Sequence, residues 1–299
     1  MDNVSRLHTI DPAHRPEHAR SEQVEVLTQV CVGELLEAFG LGSGVRPLEL
    51  LARVPAKRLA RQVATYDEIV GESGLAAGGT WALERMTRSV EVEGRENIPL
   101  EGPVLLAANH PGLADSLALF ANIPRGGLRV IAARRPILAA LPNTSRFLIP
   151  VPESPSGRLG AVRTAARHLR RGGAVLTFPG GRIEPDPTVL PGAGEALERW
   201  SESLDLFARL VPGLTVVPAV VSGVLSPTAL RNPLTFVRRH RRDREWLAAT
   251  LQMLTPALRD VTTSVAFGQP VRAGDVPERT VRGVVLDEAR RLIERCAAR

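Results

Sequence analysis

A histidine and an aspartate five residues apart, His110 and Asp115, sit where an apolar run gives way to a turn and then to a helical stretch. The run reads Val104-Leu105-Leu106-Ala107-Ala108-Asn109-His110-Pro111-Gly112-Leu113-Ala114-Asp115. With the run as a strand of an α/β sheet, His110 lies beyond its carboxyl end, where such sheets bind ligands. Asp115, one helical turn in, is spaced to reach back to the imidazole. A carboxylate on one ring nitrogen fixes the tautomer and makes the other nitrogen a better base, which suits removal of a proton from an attacking hydroxyl. The same residues also fit a plain Asn-His turn in which Asp115 is a helix-start carboxylate favoured by the dipole.

A second polar loop follows another apolar run, Ala174-Val175-Leu176-Thr177-Phe178-Pro179-Gly180-Gly181-Arg182-Ile183-Glu184-Pro185-Asp186. Glycines let a ligand approach the backbone closely, and their amides can hold an oxyanion or a phosphate. Arg182 could clamp a phosphate or carboxylate. Alone, a Gly-Gly turn is also what a plain loop looks like. Ser116 lacks the Gly-x-Ser-x-Gly elbow of a serine hydrolase. There is no Gly-x-x-x-x-Gly-Lys loop, which disfavours nucleotide hydrolysis.

The elements that must hold these loops are short apolar runs alternating with helical stretches. Strands are expected at Val90–Val92, Val104–Ala107, Leu128–Ala132, Phe147–Val151, Ala174–Phe178, Thr215–Val221 and Ser264–Phe267. Helices are expected at 113–122, 157–171, 195–210, 238–254 and 276–297. This alternation predicts an α/β fold, a largely parallel central sheet flanked by helices. Before it, Val24, Leu27, Cys31, Leu35 and Phe39 recur at helical spacing, and two further helices are expected after Pro47, with Pro55 a potential break, and over Leu75–Met86. The domain reading is therefore a disordered tail over 1–20, an N-terminal helical cap over 21–88 and an α/β domain over 89–299. The tail has no apolar run and does not read as a secretory signal.

Composition excludes wholesale disorder: of 299 residues, 44% are hydrophobic and 23% charged. No stretch approaches the roughly 18 consecutive apolar residues of a membrane span. Cys31 and Cys296 form neither a disulfide framework nor a metal site, which fits a reducing cytoplasm. Lys57 is the only lysine among 38 basic residues, and residues 1–100 hold 11 basic and 15 acidic side chains, so the net charge of +6 comes from the rest of the chain. A basic body favours an anionic partner, although arginine richness also follows genome composition. With only 4% aromatics, stacking platforms for nucleic acid are scarce, and none is expected as a partner. The run Arg238-Arg239-His240-Arg241-Arg242-Asp243-Arg244, followed by Trp246 and Leu247, reads either as an anchor to an anionic membrane or as a solvated helix face.

Taken together, Asn109-His110-(four residues)-Asp115 and Phe178-Pro179-Gly180-Gly181 resemble the glycerol-phosphate and lysophospholipid acyltransferase family. The likeness begins near Val90, includes Gly94-Arg95-Glu96-Asn97-Ile98-Pro99 and ends with Val216-Val217-Pro218-Ala219-Val220. The resemblance implies transfer of a fatty acyl chain from an acyl thioester, acyl-CoA or acyl-carrier protein, directly to a lipid hydroxyl. It makes His110 the general base, Asp115 its partner, and Asn109, Gly180, Gly181, Arg182, Glu184, Arg158 and Pro218 the expected substrate-binding residues. Pro218 falls in the motif that lines the acyl channel. No metal or prosthetic group is expected. The protein would work on the cytoplasmic face of the membrane as a peripheral enzyme of phospholipid biosynthesis or remodelling.

The pattern departs from the commonest family form, Phe-Pro-Glu-Gly-Thr-Arg. Gly180 stands at the Glu position and Ile183 at the Arg position, with Arg182 one residue early. The arginine that usually follows the neighbouring strand has Arg146 and Arg158 as its nearest candidates. Pro-Gly-Gly-x-x-Glu looks more like relatives that esterify diacylglycerols or fatty alcohols, so a neutral lipid alcohol is the alternative acceptor. A non-catalytic basic protein that binds membranes or phosphate is the competing class.

Overall fold

The computed structural model describes residues 17–42, 46–152, 154–276 and 280–298. In chain order the helices are α1 (Glu17–Ala38), α2 (Arg46–Met86), α3 (Leu113–Asn122), the single turns α4 (Pro136–Ala139) and α5 (Pro142–Ser145), α6 (Pro155–Arg170), the turn α7 (Ala193–Ala196), α8 (Ser203–Leu210), the turn α9 (Pro227–Leu230), α10 (Arg241–Leu254) and α11 (Val281–Ala297). The strands are β1 (Ser89–Glu93), β2 (Val104–Ala108), β3 (Arg129–Ala133), β4 (Leu148–Val151), β5 (Ala174–Thr177), β6 (Thr215–Ser222), β7 (Thr262–Phe267) and β8 (Val271–Arg272).

They form one sheet in the order β1-β7-β6-β2-β5-β3-β4, with β8 beside the start of β6. β6, β2, β5, β3 and β4 are mutually parallel, whereas β7 and β8 run antiparallel to β6. The central strands β2, β5 and β6 are buried at every position because both faces are covered. Val104, Leu106 and Ala108 join a core with α2, α3 and Ala248 of α10, while Leu105 and Ala107 face α6, α8 and α11. β2, β5 and β6 therefore release their following loops at one edge, side by side.

Pro218 lies inside β6, a position proline normally avoids because it has no N–H for the ladder. Here β6 changes partners at that residue: Thr215 and Val216 pair with β8, and Ala219 to Ser222 pair with β7. The Pro218 carbonyl still accepts from Gly268 N at 2.8 Å.

The N-terminal region holds the three expected helices, with the first starting earlier than expected. α1 begins at Glu17, inside the expected 1–20 tail, whose first 16 residues lie outside the described residues. The second and third helices share the span α2 but are separated at Gly74, whose φ of 83° and ψ of 176° are not helical, so the third starts at Leu75 as expected. Pro55 does not break the second. The carbonyl that proline leaves unbonded belongs to the exposed Leu51, where water can satisfy it. Beyond Gly74 α2 presses closely on α3, where a Cβ at Gly79 would come within 2.7 Å of the Leu117 carbonyl oxygen.

Asp67, wholly buried in α2, ties this region to the main body. Its carboxylate accepts from Thr144 N and Thr144 Oγ1, both at 2.8 Å, and from Gln23 Nε2 at 3.2 Å.

The expected helix 195–210 is interrupted at Trp200. Arg282 takes the place of helical donors there, with Nε on the Trp200 carbonyl at 2.7 Å and Nη2 on the Glu198 carbonyl at 2.9 Å.

Candidate active site

β2 ends at Ala108, Pro111 and Gly112 turn the chain, and Asp115 is the third residue of α3. Side chains at a helix start point back over the preceding turn, so this spacing returns the carboxylate to the imidazole. His110 Nδ1 donates to Asp115 Oδ2 at 2.8 Å. The same oxygen accepts Gly112 N–H at 2.8 Å, and Oδ1 accepts the Ser116 hydroxyl at 2.9 Å. Asp115 is 0% exposed, whereas the His110 side chain is 27% exposed. With Nδ1 engaged as the donor, Nε2 carries the free lone pair. The imidazole packs against the Phe178 ring with centroids 4.5 Å apart.

Burial pulls the His110 pKa down, but the charge and hydrogen bond of Asp115, aided by the charge of Glu184, more than offset it. The group ends above its ordinary value of 6.5, with the charge of Arg135 opposing the rise. Arg135 is exposed just past β3, at the same edge of the sheet as His110. Its signal in the sequence is a basic pair, Arg134-Arg135, at the carboxyl end of a strand.

Three buried polar side chains fasten the loops of this edge. Asn109 Oδ1 accepts Val221 N–H at 2.7 Å, and its Nδ2 donates to the Val221 carbonyl at 2.9 Å. Glu184 Oε2 accepts His110 N–H at 3.0 Å while Glu184 N–H donates to the His110 carbonyl at 2.8 Å. Asp186 collects N–H groups from Gly223 at 2.9 Å, Val224 at 2.7 Å and Leu225 at 3.1 Å.

Asn109 and Glu184, expected to bind substrate, are both buried, with Asn109 bonded to the backbone of Val221 and Glu184 to the backbone of His110 and the Trp200 indole. Burial pushes the Glu184 carboxyl up, against its N–H donors and the charges of His110 and Arg199.

Gly180 and Gly181 lie in the turn after β5. Gly181, with φ 64°, spends its N–H on the Phe178 carbonyl at 3.0 Å, so of the two expected oxyanion donors it is already engaged. Arg182 is exposed on this loop. Arg158 is exposed near the start of α6, behind the edge strand β4, three strands from β2. Pro218 is buried mid-strand, paired with Ala107 of β2, with its ring near Gly268.

Of the two readings of the basic run near 238–244, the one that turns Trp246 and Leu247 outward as an anchor does not hold. Leu247 is fully buried and Trp246 packs inward beside it. The apolar side chains that face outward are Leu234, Phe236 and Val237, 49%, 61% and 60% exposed, in a 3-10 turn just before the run. Arg238 binds Asp243 at 2.8 Å, and the Arg244 guanidinium lies 4.9 Å from the Phe236 ring centroid. Arg239, Arg241 and Arg242 are exposed around them.

Residues 89–222 match the family model described as Acyltransferase. Compared with curated proteins by sequence, the chain finds no match. Among solved structures it is similar to the 1-acyl-sn-glycerophosphate (LPA) acyltransferase, PlsC, from Thermotoga maritima. That likeness has 18% identity over 94% of this chain and 95% of that one, with a TM-score of 0.48.

Proposed function

We propose that this chain, in which residues 89–222 are a domain of the acyltransferase family, moves a fatty acyl group from an acyl thioester to the hydroxyl of a lysophospholipid or glycerol-phosphate-type lipid. The observation that carries the reading is the His110–Asp115 pair, with Nδ1 held at 2.8 Å and Nε2 free at the partly exposed edge of the sheet.

In the proposed reaction the acceptor oxygen attacks the thioester carbonyl as His110 Nε2 takes the hydroxyl proton. The tetrahedral adduct collapses, the C–S bond breaks, and the departing thiolate receives the proton from the imidazolium. Asp115 keeps the tautomer and stabilises the positive ring, as a buried carboxylate does for a base. Acyl-CoA and acyl-carrier protein are the donors this chemistry admits, and no further cofactor is called for.

An anionic acceptor is supported by Arg135 and Arg182, both exposed at the loops around His110. The neutral-alcohol alternative is supported by Gly180 and Ile183, which leave the second loop without the usual Glu and Arg. The 3-10 turn Pro233–Val237, with apolar side chains outward and exposed arginines beside them, supports docking on an anionic membrane, the inner face of the cell membrane in this reading. Among the described residues, no helix is long and apolar enough to cross a membrane.

The test is thiol release from long-chain acyl-CoA or acyl-carrier protein, with a panel of lysophospholipids, glycerol phosphate, diacylglycerol and fatty alcohols. Mass spectrometry of the new lipid names the acceptor. Silence with both donors across the panel would favour a binding protein.

A further inference from the structure

We propose that Glu184 is a positioning residue for His110: its buried carboxylate fixes the peptide from which the imidazole hangs. The inference rests on the reading of His110 as the base and adds a residue to that site.

Glu184 and His110 bond reciprocally through both backbone and side chain. The Glu184 N–H donates to the His110 carbonyl at 2.8 Å, and Glu184 Oε2 accepts the His110 N–H at 3.0 Å. The backbone N–H and the backbone C=O of His110 are thereby both held by one residue from the loop after β5. The second carboxylate oxygen, Oε1, accepts Trp200 Nε1–H at 2.9 Å, so the side chain is held from two directions. Trp200 itself is buried at the break between α7 and α8. Asp115 sets the ring's tautomer and one edge; Glu184 sets the position of its backbone pivot. A base displaced by about 1 Å can lose about 100-fold in rate.

Gly180 belongs to the same device. A Cβ at position 180 would collide with Glu184 Oε1. Gly180 is not in the left-handed region, so its backbone does not demand glycine. What demands it is the space taken by the carboxylate.

A carboxylate suits this place because both contacts are N–H donors. In Glu184→Gln only one end of the amide accepts, and its NH2 must face either the His110 N–H or the indole N–H, leaving that donor unsatisfied. Trp200→Phe removes one donor, so the Gln oxygen becomes available to His110.

The experiment compares wild type, His110→Ala, Glu184→Gln and Glu184→Gln/Trp200→Phe, reading kcat, KM for donor and acceptor, and the acid limb of kcat/KM. The charges facing His110 are Asp115, Glu184 and Arg135, and those facing Glu184 are His110 and Arg199. Expected for Glu184→Gln is a kcat about 10- to 100-fold lower with both KM values nearly unchanged. Its acid limb moves to lower pH because a negative charge beside the imidazole is gone. The double variant recovers part of the lost kcat.

A wild-type kcat in Glu184→Gln, or a loss that follows the folded fraction with an unmoved acid limb, would overturn the proposal. An active His110→Ala protein would instead remove the base itself. Should Glu184→Gln fail to fold, hydrogen exchange of the His110 amide in the wild-type protein decides. Protection equal to that of the β2 amides is expected, and exchange at a loop rate would overturn the clamp.

Discussion

The Asn109 side chain closes a two-point ring with the backbone of Val221, accepting its N–H at 2.7 Å and donating to its carbonyl at 2.9 Å. The β2–β6 ladder ends at the pair Ala108 and Ala219. Asn109 therefore continues the sheet by one side-chain rung, directly before the base. Asn109→Ala leaves two buried backbone groups without partners, at about 1–3 kcal/mol each. Thermal or denaturant unfolding should show that loss, while KM in the protein that remains folded stays near wild type. A large rise in KM at unchanged stability would return Asn109 to the substrate.

The pH profile follows from the His110 environment. The neutral ring is the base, and its pKa lies above 6.5. Thus kcat/KM should fall as pH drops through a value above 6.5. Asp115→Asn removes the largest upward influence, so its acid limb should move to lower pH together with a fall in kcat. An acid limb at or below 6.5 in the wild type would contradict the assigned pair.

Much of the sheet was legible because parallel strands covered on both faces leave unbroken apolar runs, as in Val104–Ala108 and Val216–Val221. The His110–Asp115 contact was legible because both residues are local to one strand–turn–helix unit. Long-range partners carry no such signal. Nothing near Glu184 announces Trp200 as its donor, and nothing near Asp67 announces Thr144. The Trp200 break is likewise invisible locally, since Arg282, which takes up the freed carbonyls, comes from α11. Trp246 and Leu247 misled for a related reason. Their helical face is covered by Ala38 and Phe39 at the end of α1, which no window around residue 246 contains.

Membrane docking should depend on the 3-10 turn rather than on Trp246. Phe236→Ser with Val237→Ser should weaken binding to vesicles containing phosphatidylglycerol by about tenfold or more, the scale of losing buried apolar side chains. Binding should also fall with added salt, since exposed arginines contribute. Salt-insensitive binding unaffected by the double variant would place the membrane contact elsewhere.

Arg182→Ala should raise KM about tenfold for phosphate-bearing acceptors, the loss of one charge-assisted contact, and leave neutral alcohols unaffected. An equal effect on both classes would remove Arg182 from headgroup recognition.

The most direct measurement is acceptor-dependent thiol release by wild type and His110→Ala, with folding of both verified by circular dichroism and thermal melting. General-base catalysis predicts a kcat about 10²- to 10⁴-fold lower in the variant at unchanged fold. A folded His110→Ala protein that transfers acyl groups within a few-fold of the wild-type rate would contradict the base assignment on which the proposed mechanism rests.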